Sequence, residues 1–434
     1  MKLSIDDLKT FSFAIYGLGK TGKSIVNFFK KNKIKNYFVW DDHKKIPNSK
    51  NNKQNKISFF NKKIDEVDFI ILSPGIDIGK SIFRKKLIKN YKKIISDLDL
   101  FYLTSNKEKT IVITGTNGKS TACKLIEHIL KKRGLKVSLG GNIGKPIMDI
   151  ANNNSKICVI EASSFQLNFS KYVKPTHAAI LNLTKDHIEW HKTFKNYINS
   201  KLNIFALQSK TDLAFLNDKK IIKLYKQNKF RGSLKIINSK KYNFIQRKII
   251  NSYLLSKANE LNMKFIYQIC KYFKISDKQF INFSNSFRGL KHRQEVFFKK
   301  KNLNFINDSK ATSFESTKYA LMSYKNIFWI VGGLPKLGDK FLLKKCKNNI
   351  IKAYIIGKRS NFFKKAFKKK IKYTVSNTLK KAIENISKDI NQEDNRIKNI
   401  LFSPASASYD QFNNFEERGE LFKNIIKKNA AKLF

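Results

Sequence analysis

Short apolar runs recur along the whole chain, separated by stretches of helical spacing: SFAIY (12–16), DFIILS (68–73), TIVIT (110–114), ICVIEA (157–162), AAILNL (178–183), IFWIVGG (327–333), AYIIG (353–357) and ILFSP (400–404). That alternation is the mark of parallel α/β domains, whose strands are covered by helices. Ligands in such domains sit beyond the carboxyl ends of the strands, so the residues that do chemistry are expected just after these runs. The 434 residues exceed what one hydrophobic core serves. Three blocks are expected: 1–97; 98–290, which opens on a fresh strand; and 291–434. The lysine-rich stretch 219–250 reads as a variable part of the middle block.

Charge bears on the partner. A formal net charge of +56 invites nucleic acid through counterion release, or an anionic lipid surface. Only nine of the 88 basic residues are arginine, the side chain suited to bidentate phosphate and base contacts. The lysines are spread through every segment beside heavy Asn, Ile and Phe usage, so compositional drift with solvated lysines accounts for them better than a dedicated basic patch. No nucleic-acid partner is expected. Cys123, Cys158, Cys270 and Cys346 lie far apart with no C-x-x-C pair, which fits reduced, buried thiols in a reducing compartment. No stretch nears about 18 uncharged apolar residues, and MKLSIDDLKTFSF carries acids where a signal peptide has its apolar core. The expectation is a cytoplasmic monomer without stable membrane association.

The third run continues as IVITGTNGKST (111–121). A P-loop needs four residues between its glycines, and Gly115 and Gly118 have two. The following KSTACKLIEHILKKRG has apolar residues at 122, 125, 126, 129 and 130, a helical spacing, with Gly134 placed as a C-cap. Backbone amides at that helix start, with Lys119 reaching forward, suit a nucleotide's outer phosphates, and the Ser120 hydroxyl suits Mg²⁺.

A second glycine motif, GLGKTG, follows the first run with Gly17, Gly19 and Gly22 in G-x-G-x-x-G spacing, and Asp41 ends the strand-like YFVW. The spacing alone leaves open an NAD site and any other pyrophosphate-bearing nucleotide. In the middle block Glu161 ends one run, and Asp186 and His187 follow another. Carboxylate, imidazole and hydroxyl groups near a phosphate loop suit Mg²⁺, which prefers oxygen and bridges phosphates. TFKNYINSKLNIFALQ places Lys201 on the same helical stripe as apolar residues 194, 197, 198, 202, 204 and 205. Such a lysine either snorkels to solvent or, drawn into a low-dielectric site, has a depressed pKa and reacts with CO₂ to give an anionic carbamate. In the last block NDSKATSFEST follows LNFI, GGLPKLGD follows FWIV and PASASYDQFNNFEERG follows ILFS. They place Lys310, Thr312, Lys336 and Ser408 where an anionic second substrate is expected to bind.

Taken in order, GLGKTG, SPGI (73–76), GTNGKST, GGNIG (140–144), EASSFQL (161–167), LNLTKDH (181–187), GLKHRQE (289–295), NDSKAT (307–312) and SPASASYDQFNNFEERG (403–419) resemble the Mur ligases of bacterial cell-wall synthesis over nearly the whole chain. Their ATP loop is the short G-[TS]-N-G-K-[ST]. The first string and the last two most resemble the member that adds D-glutamate to UDP-N-acetylmuramoyl-L-alanine. The resemblance implies an α/β fold of three domains: a Rossmann-like UDP-binding domain (1–97), a central P-loop ATPase-like parallel-sheet domain (98–290) and a C-terminal Rossmann-like amino-acid-binding domain (291–434).

It further implies that Gly17, Leu18, Gly19, Thr21, Gly22, Asp41, Ser73, Pro74 and Gly75 grip the UDP moiety rather than NAD, and that Asn142 helps position that substrate. ATP is implied on Gly115, Thr116, Asn117, Gly118, Lys119, Ser120 and Thr121, with Asn262, Arg293 and Asp308 as further contacts. One Mg²⁺ falls to Ser120 and Glu161, a second to His187 and carbamylated Lys201. Lys119, His187, Lys201 and Arg293 form the implied catalytic set, and Lys310, Thr312, Lys336, Ser408 and Phe415 the D-glutamate site. The implied reaction passes through an acyl phosphate, with closure of the C-terminal domain. Two departures stand out: the family's H-N-x-x-N reads ANELN (258–262), with Ala258 in place of the histidine, and GGLPKLGD differs from the commoner glycine-rich version.

Overall fold

In a computed structural model, residues 2–43, 57–238, 240–251, 253–256, 259–336, 339–390 and 395–434 are described. They form three sheets. The first holds β1 (Phe13–Tyr16), β2 (Tyr37–Trp40), β3 (Phe69–Leu72) and β4 (Ile94–Ile95) in the order β2-β1-β3-β4. Its strands are parallel, with Phe13 opposite Tyr37 on one side and Phe69 on the other.

The second sheet, also parallel, holds β5 (Lys109–Thr114), β6 (Val137–Gly141), β7 (Ile157–Glu161), β8 (His177–Ile180), β9 (Leu213–Leu216) and β10 (Ser233–Ile236) in the order β10-β9-β8-β5-β7-β6. The chain leaves β5 for one side of the sheet and returns to the other at β8. The crevice beyond β5, flanked by β7 and β8, is therefore a topological switch point, where α/β sheets bind ligands. The third sheet holds β11 (Glu295–Lys300), β12 (Leu303–Asn307), β13 (Ile327–Gly332), β14 (Ile350–Ile356), β15 (Tyr373–Asn377) and β16 (Lys398–Phe402) in the order β11-β12-β16-β13-β14-β15. Only β11 in it runs antiparallel to its neighbour.

The chain packs as two compact units, Met1–Ile249 with Leu261–Ser286, and Ile250–Glu260 with Phe287–Phe434. Within the first unit one core cluster joins both sheets: Phe13, Ile15 and Ile71 of the first and Val112, Ile160 and Ala178 of the second share it with Ile25, Phe28 and Phe29 of the helix Lys20–Lys31 and with Ile147, Met148 and Ile150. Burying each large apolar side chain contributes about 1.5–3 kcal/mol, enough to hold the two sheets together. Ser24 on that helix also donates to Asp149 Oδ1 at 2.6 Å.

In the second unit alternate residues of one strand serve opposite cores. Ile327, Trp329 and Val331 face one cluster, and Phe328 and Ile330 the other. Burial on both faces makes these strands read as unbroken apolar runs rather than as an alternating pattern.

The strands match the sequence runs with two instructive differences. AAILNL was expected as one strand to residue 183, but β8 ends at Ile180. From there the backbone turns to serve the glycine loop: Leu181 N–H donates to Thr114 O, and Thr116 N–H to Asn182 O. AYIIG is the end of a longer strand that begins at Ile350.

Candidate active site

Three groups of candidate residues take shape. In the first, Gly17 follows β1 with φ +97°, and a Cβ there would lie 2.7 Å from the Ser73 Cβ. The close approach is used: the Ser73 hydroxyl donates to Gly17 O at 2.7 Å, and Gly17 N–H donates to Trp40 O at 2.7 Å. A Cβ on Gly22 would lie 1.9 Å from Gly17 O, so the helix Lys20–Lys31 can start this close only with glycine there. Asp41 accepts from Leu18 N–H at 2.6 Å and His43 N–H at 3.0 Å. Thus Gly17, Leu18, Gly19, Gly22, Asp41 and Ser73 form one cradle at the carboxyl ends of β1, β2 and β3. Thr21 is in the first turn of the helix, and Pro74 and Gly75 continue from Ser73.

The second group lies at the switch point beyond β5. Gly115 (φ +146°) and Gly118 (φ +85°) shape the loop, and the helix Lys119–Lys132 starts from Gly118 without a side-chain cap. Asn182 holds the loop: its Oδ1 accepts from Asn117 N–H at 2.9 Å, and its Nδ2 donates to Asn117 O at 3.0 Å. Asn262 stands so close that a Cβ on Gly118 would lie 2.3 Å from its Oδ1. Lys119 Nζ bends over the loop and donates to Gly115 O and Thr116 O, both at 2.8 Å.

At the helix start Ser120 donates to Glu161 Oε2 at 2.6 Å, both residues being buried, and Asn142 Nδ2 donates to Glu161 Oε1 at 2.8 Å. Asn142 therefore belongs to the carboxylate that ends β7. Thr121 is buried on the same turn.

Lys201 does not snorkel. It is 1% exposed, its Nζ donating to Thr114 Oγ1 at 3.2 Å and Gly115 O at 2.9 Å and lying 4.8 Å from the centre of the Tyr197 ring. Burial, with the Lys119 charge nearby, drives its pKa well down, against an upward pull from Asp186 and Glu161. The amine is thus biased toward its neutral, nucleophilic form. His187 sits at φ +54°, its ring 4.8 Å from Phe165, with Nε2 3.4 Å from Asp186 and Nδ1 3.6 Å from Glu189. Tyr197 links this wall to the loop through a 2.9 Å contact between its hydroxyl and Thr116 Oγ1. His191 packs behind it, its Nε2 2.9 Å from Ser164 Oγ, and burial lowers its pKa to about 4. It is a neutral packing histidine at neutral pH. Among the described residues no three His, Cys, Asp or Glu side chains converge as a metal cluster; the oxygen-rich pair here is a hydroxyl and one carboxylate.

The third group lies in the second unit, at the carboxyl ends of β12, β13 and β16. Arg293 is flanked by His292 (φ +60°) and Gln294 (φ +45°). Asp308 is buried, accepting from Ser403 Oγ at 2.6 Å and Gln294 N–H at 3.1 Å, and burial pushes its carboxyl up to about 7. Lys310 Nζ sits 3.6 Å from the centre of the Phe415 ring. Ser408 is buried and Thr312 half-buried. Lys336 follows β13 on a loop whose Leu334 pairs with Ala407 through two 2.9 Å backbone hydrogen bonds. Arg293 and Asp308 thus belong to the second unit, whereas Asn262 belongs to the first. Ala258, and Leu337 and Gly338 of GGLPKLGD, lie outside the described residues.

Sequence reasoning passed over Asn182, Tyr197 and Ser403, whose side chains bond to the candidates. For Tyr197 a signal existed, since it shares the Lys201 stripe; Asn182 and Ser403 sat inside quoted strings without a role.

Residues 12–95 match the N-terminal domain of the MurD-like Mur ligases, and residues 113–279 the Mur ligase middle domain. The UDP-N-acetylmuramoylalanine–D-glutamate ligase of Wolbachia sp. subsp. Brugia malayi (strain TRS) is 34% identical, with 98% of each chain covered. That of Rickettsia prowazekii (strain Madrid E) is 34% identical over 97% of this chain and 99% of its own. Among solved structures, the MurF ligase of Thermotoga maritima in complex with ADP has the same fold, with a TM-score of 0.58 at 15% identity over 98% of this chain and 99% of that one.

Proposed function

This chain belongs to the Mur ligase family, and we propose that it joins D-glutamate to UDP-N-acetylmuramoyl-L-alanine, cleaving ATP to ADP and phosphate. The observation that carries the reading is the full-length likeness to ligases of that name, to which the site adds a short phosphate loop at the switch point of a parallel sheet. Residues 1–97 are assigned to the UDP substrate, 98–290 to ATP and 291–434 to the amino acid. The protein is read as a cytoplasmic monomer acting on small molecules, without nucleic acid or stable membrane association. No described helix is long and apolar enough to cross a membrane.

The Gly17–Gly22 cradle, Asp41, Ser73, Pro74 and Gly75 hold the UDP moiety, and Asn142 orients the muramoyl arm. The amides of the Gly115–Thr121 loop and Lys119 take the outer phosphates of ATP, with Asn262, Arg293 and Asp308 as further contacts. The buried Ser120–Glu161 pair offers oxygen ligands that fit Mg²⁺. Lys201 fits a carbamate: its buried amine donates to a hydroxyl and a carbonyl, and losing a proton to combine with CO₂ would turn it into an anionic ligand sharing a metal with His187. Two Mg²⁺ ions held by these two pairs would neutralise charge on the phosphate oxygens.

An alanyl carboxylate oxygen attacks the γ-phosphorus, ADP leaves, and an acyl phosphate forms. The D-glutamate amine attacks its carbonyl carbon, and phosphate departs from the tetrahedral intermediate. Lys119 and Arg293 stabilise charge developing on oxygen, and fixed placement supplies much of the remaining rate. Lys310, Thr312, Lys336, Ser408 and Phe415 hold D-glutamate. Incubation with ATP, Mg²⁺, UDP-N-acetylmuramoyl-L-alanine and radiolabelled D-glutamate is expected to put label into a UDP-dipeptide. An unlabelled product pool would overturn the proposal, and incorporation of L-lysine, diaminopimelate or L-alanine instead would assign a related ligase.

A further inference from the structure

In the second unit the largest buried charge belongs to a residue with no role in the scheme above. Arg418 lies in the first turn of the helix Phe415–Leu433, where FEERG reads as a solvated charge run, yet it is 1% exposed. All three guanidinium nitrogens donate. Nε reaches Ser309 Oγ at 3.1 Å, Nη2 reaches Ser309 O at 2.8 Å, and Nη1 reaches Ser406 O at 3.0 Å. Burial brings its pKa down to about 10, so it remains a cation at neutral pH. These acceptors are two carbonyls and a hydroxyl rather than a carboxylate.

These bonds meet at the loops that carry the D-glutamate candidates. Ser309 precedes Lys310, and its hydroxyl donates to Phe415 O at 2.8 Å. Ser406 lies two residues before Ser408 on a loop that turns at Ala405 (φ +57°). That loop is paired to Leu334, two residues before Lys336. A Cβ on Gly333 would lie 2.4 Å from Ala407 O and 3.3 Å from Arg418 Nη1, so the third loop passes against the same guanidinium. One side chain thus fixes the loops after β12 and β16 to each other and to the helix that presents Phe415.

We propose that Arg418 is the positioning residue of the amino-acid site: without touching D-glutamate, it sets the spacing of Lys310, Thr312, Ser408 and Phe415 by clamping Ser309 and Ser406. A planar fork with donors in several directions reaches two loops at once; a lysine ammonium is a point charge that cannot reproduce that geometry. The inference rests on the reading that those four residues hold D-glutamate.

Steady-state kinetics of Arg418→Lys, Arg418→Ala and Ser309→Ala, with each substrate varied in turn, tests it. Losing one or two charge-assisted hydrogen bonds that act through loop geometry is expected to raise KM for D-glutamate about tenfold or more in Arg418→Lys. KM for ATP and for the UDP substrate should stay within about twofold of the parent, and Ser309→Ala should move the same constant in the same direction. Guanidinium ion added to Arg418→Ala should lower KM for D-glutamate again. A parental KM for D-glutamate in both Arg418→Lys and Ser309→Ala would overturn the assignment, as would a loss shared equally among the three substrates. If Arg418→Lys fails to fold, Ser309→Ala and guanidinium rescue decide alone. A parent enzyme that does not ligate D-glutamate would sink the functional reading instead, which separates the two failures.

Discussion

Replacing Asp308 by Asn removes a carboxyl that folding holds in an unfavourable place. It is buried, and that burial raises its pKa from 3.8 to about 7 despite hydrogen bonds from Ser403 and Gln294 and the charge of Arg293. Above its ordinary pKa the unfolded chain has lost this proton while the folded chain keeps it. The folded state therefore binds more protons, and stability falls as pH rises until the folded pKa is passed. Integrated from about pH 5 to about pH 8, the loss assigned to this one group is about 3 kcal/mol. Asn keeps an oxygen for the Gln294 amide, and the Ser403 hydroxyl can rotate to accept from its NH₂.

Trp329, fully buried and donating to Ser403 O at 2.8 Å, reports unfolding of this region once Trp40 and Trp190 are replaced by Phe. Urea unfolding followed by that fluorescence should show the parent losing about 3 kcal/mol more than Asp308→Asn across the range. Parallel losses in the two chains would refute the reasoning, because the carboxyl would then titrate alike in both states.

On the proposed carbamate role, Lys201→Ala is expected to lower turnover about 100-fold or more, with partial recovery on adding acetate or bicarbonate; full activity at low bicarbonate would count against the carbamate. Gly118→Ala forces an L-residue to φ +85° and drives its Cβ to 2.3 Å from Asn262 Oδ1. The left-handed strain alone costs about 1–2 kcal/mol, so kcat/KM for ATP should fall at least about tenfold, as initial rates at varied ATP will show. Glu161→Gln weakens the pair with Ser120, and a Mg²⁺ titration of activity should need a several-fold higher concentration.

Much of the fold was legible because parallel strands buried on both faces stay apolar throughout, as in ICVIE and IFWIV. Several strands without that signature escaped, and so did the short buried LAFL (213–216). VSLGG is rich in glycine, SLKI lies at a sheet edge with half-buried positions, and EVFFKK is an antiparallel edge strand carrying two lysines. The helix after the glycine loop was readable to its end: Gly134 takes φ +88°, and Leu135 N–H closes on Leu130 O at 3.1 Å.

Candidate site residues on strand ends were legible for the same reason, since topology places them. Burial and partnership were not. A buried Lys201 looks like any other lysine in a chain with 88 basic residues. The raised pKa of Asp308 comes from burial, against a hydrogen bond from Ser403, 95 residues away in sequence, and the role of Arg418 depends on two loops brought together only by the third sheet.

The proposed chemistry requires ATP to activate an alanyl carboxylate for attack by D-glutamate. UDP-N-acetylmuramoyl-L-alanine labelled with ¹⁸O in that carboxylate, turned over with ATP and D-glutamate, tests it most directly by mass spectrometry of the released phosphate. One ¹⁸O transferred to phosphate per dipeptide formed is the predicted result. Phosphate free of label, or dipeptide formed without ADP, would contradict the account.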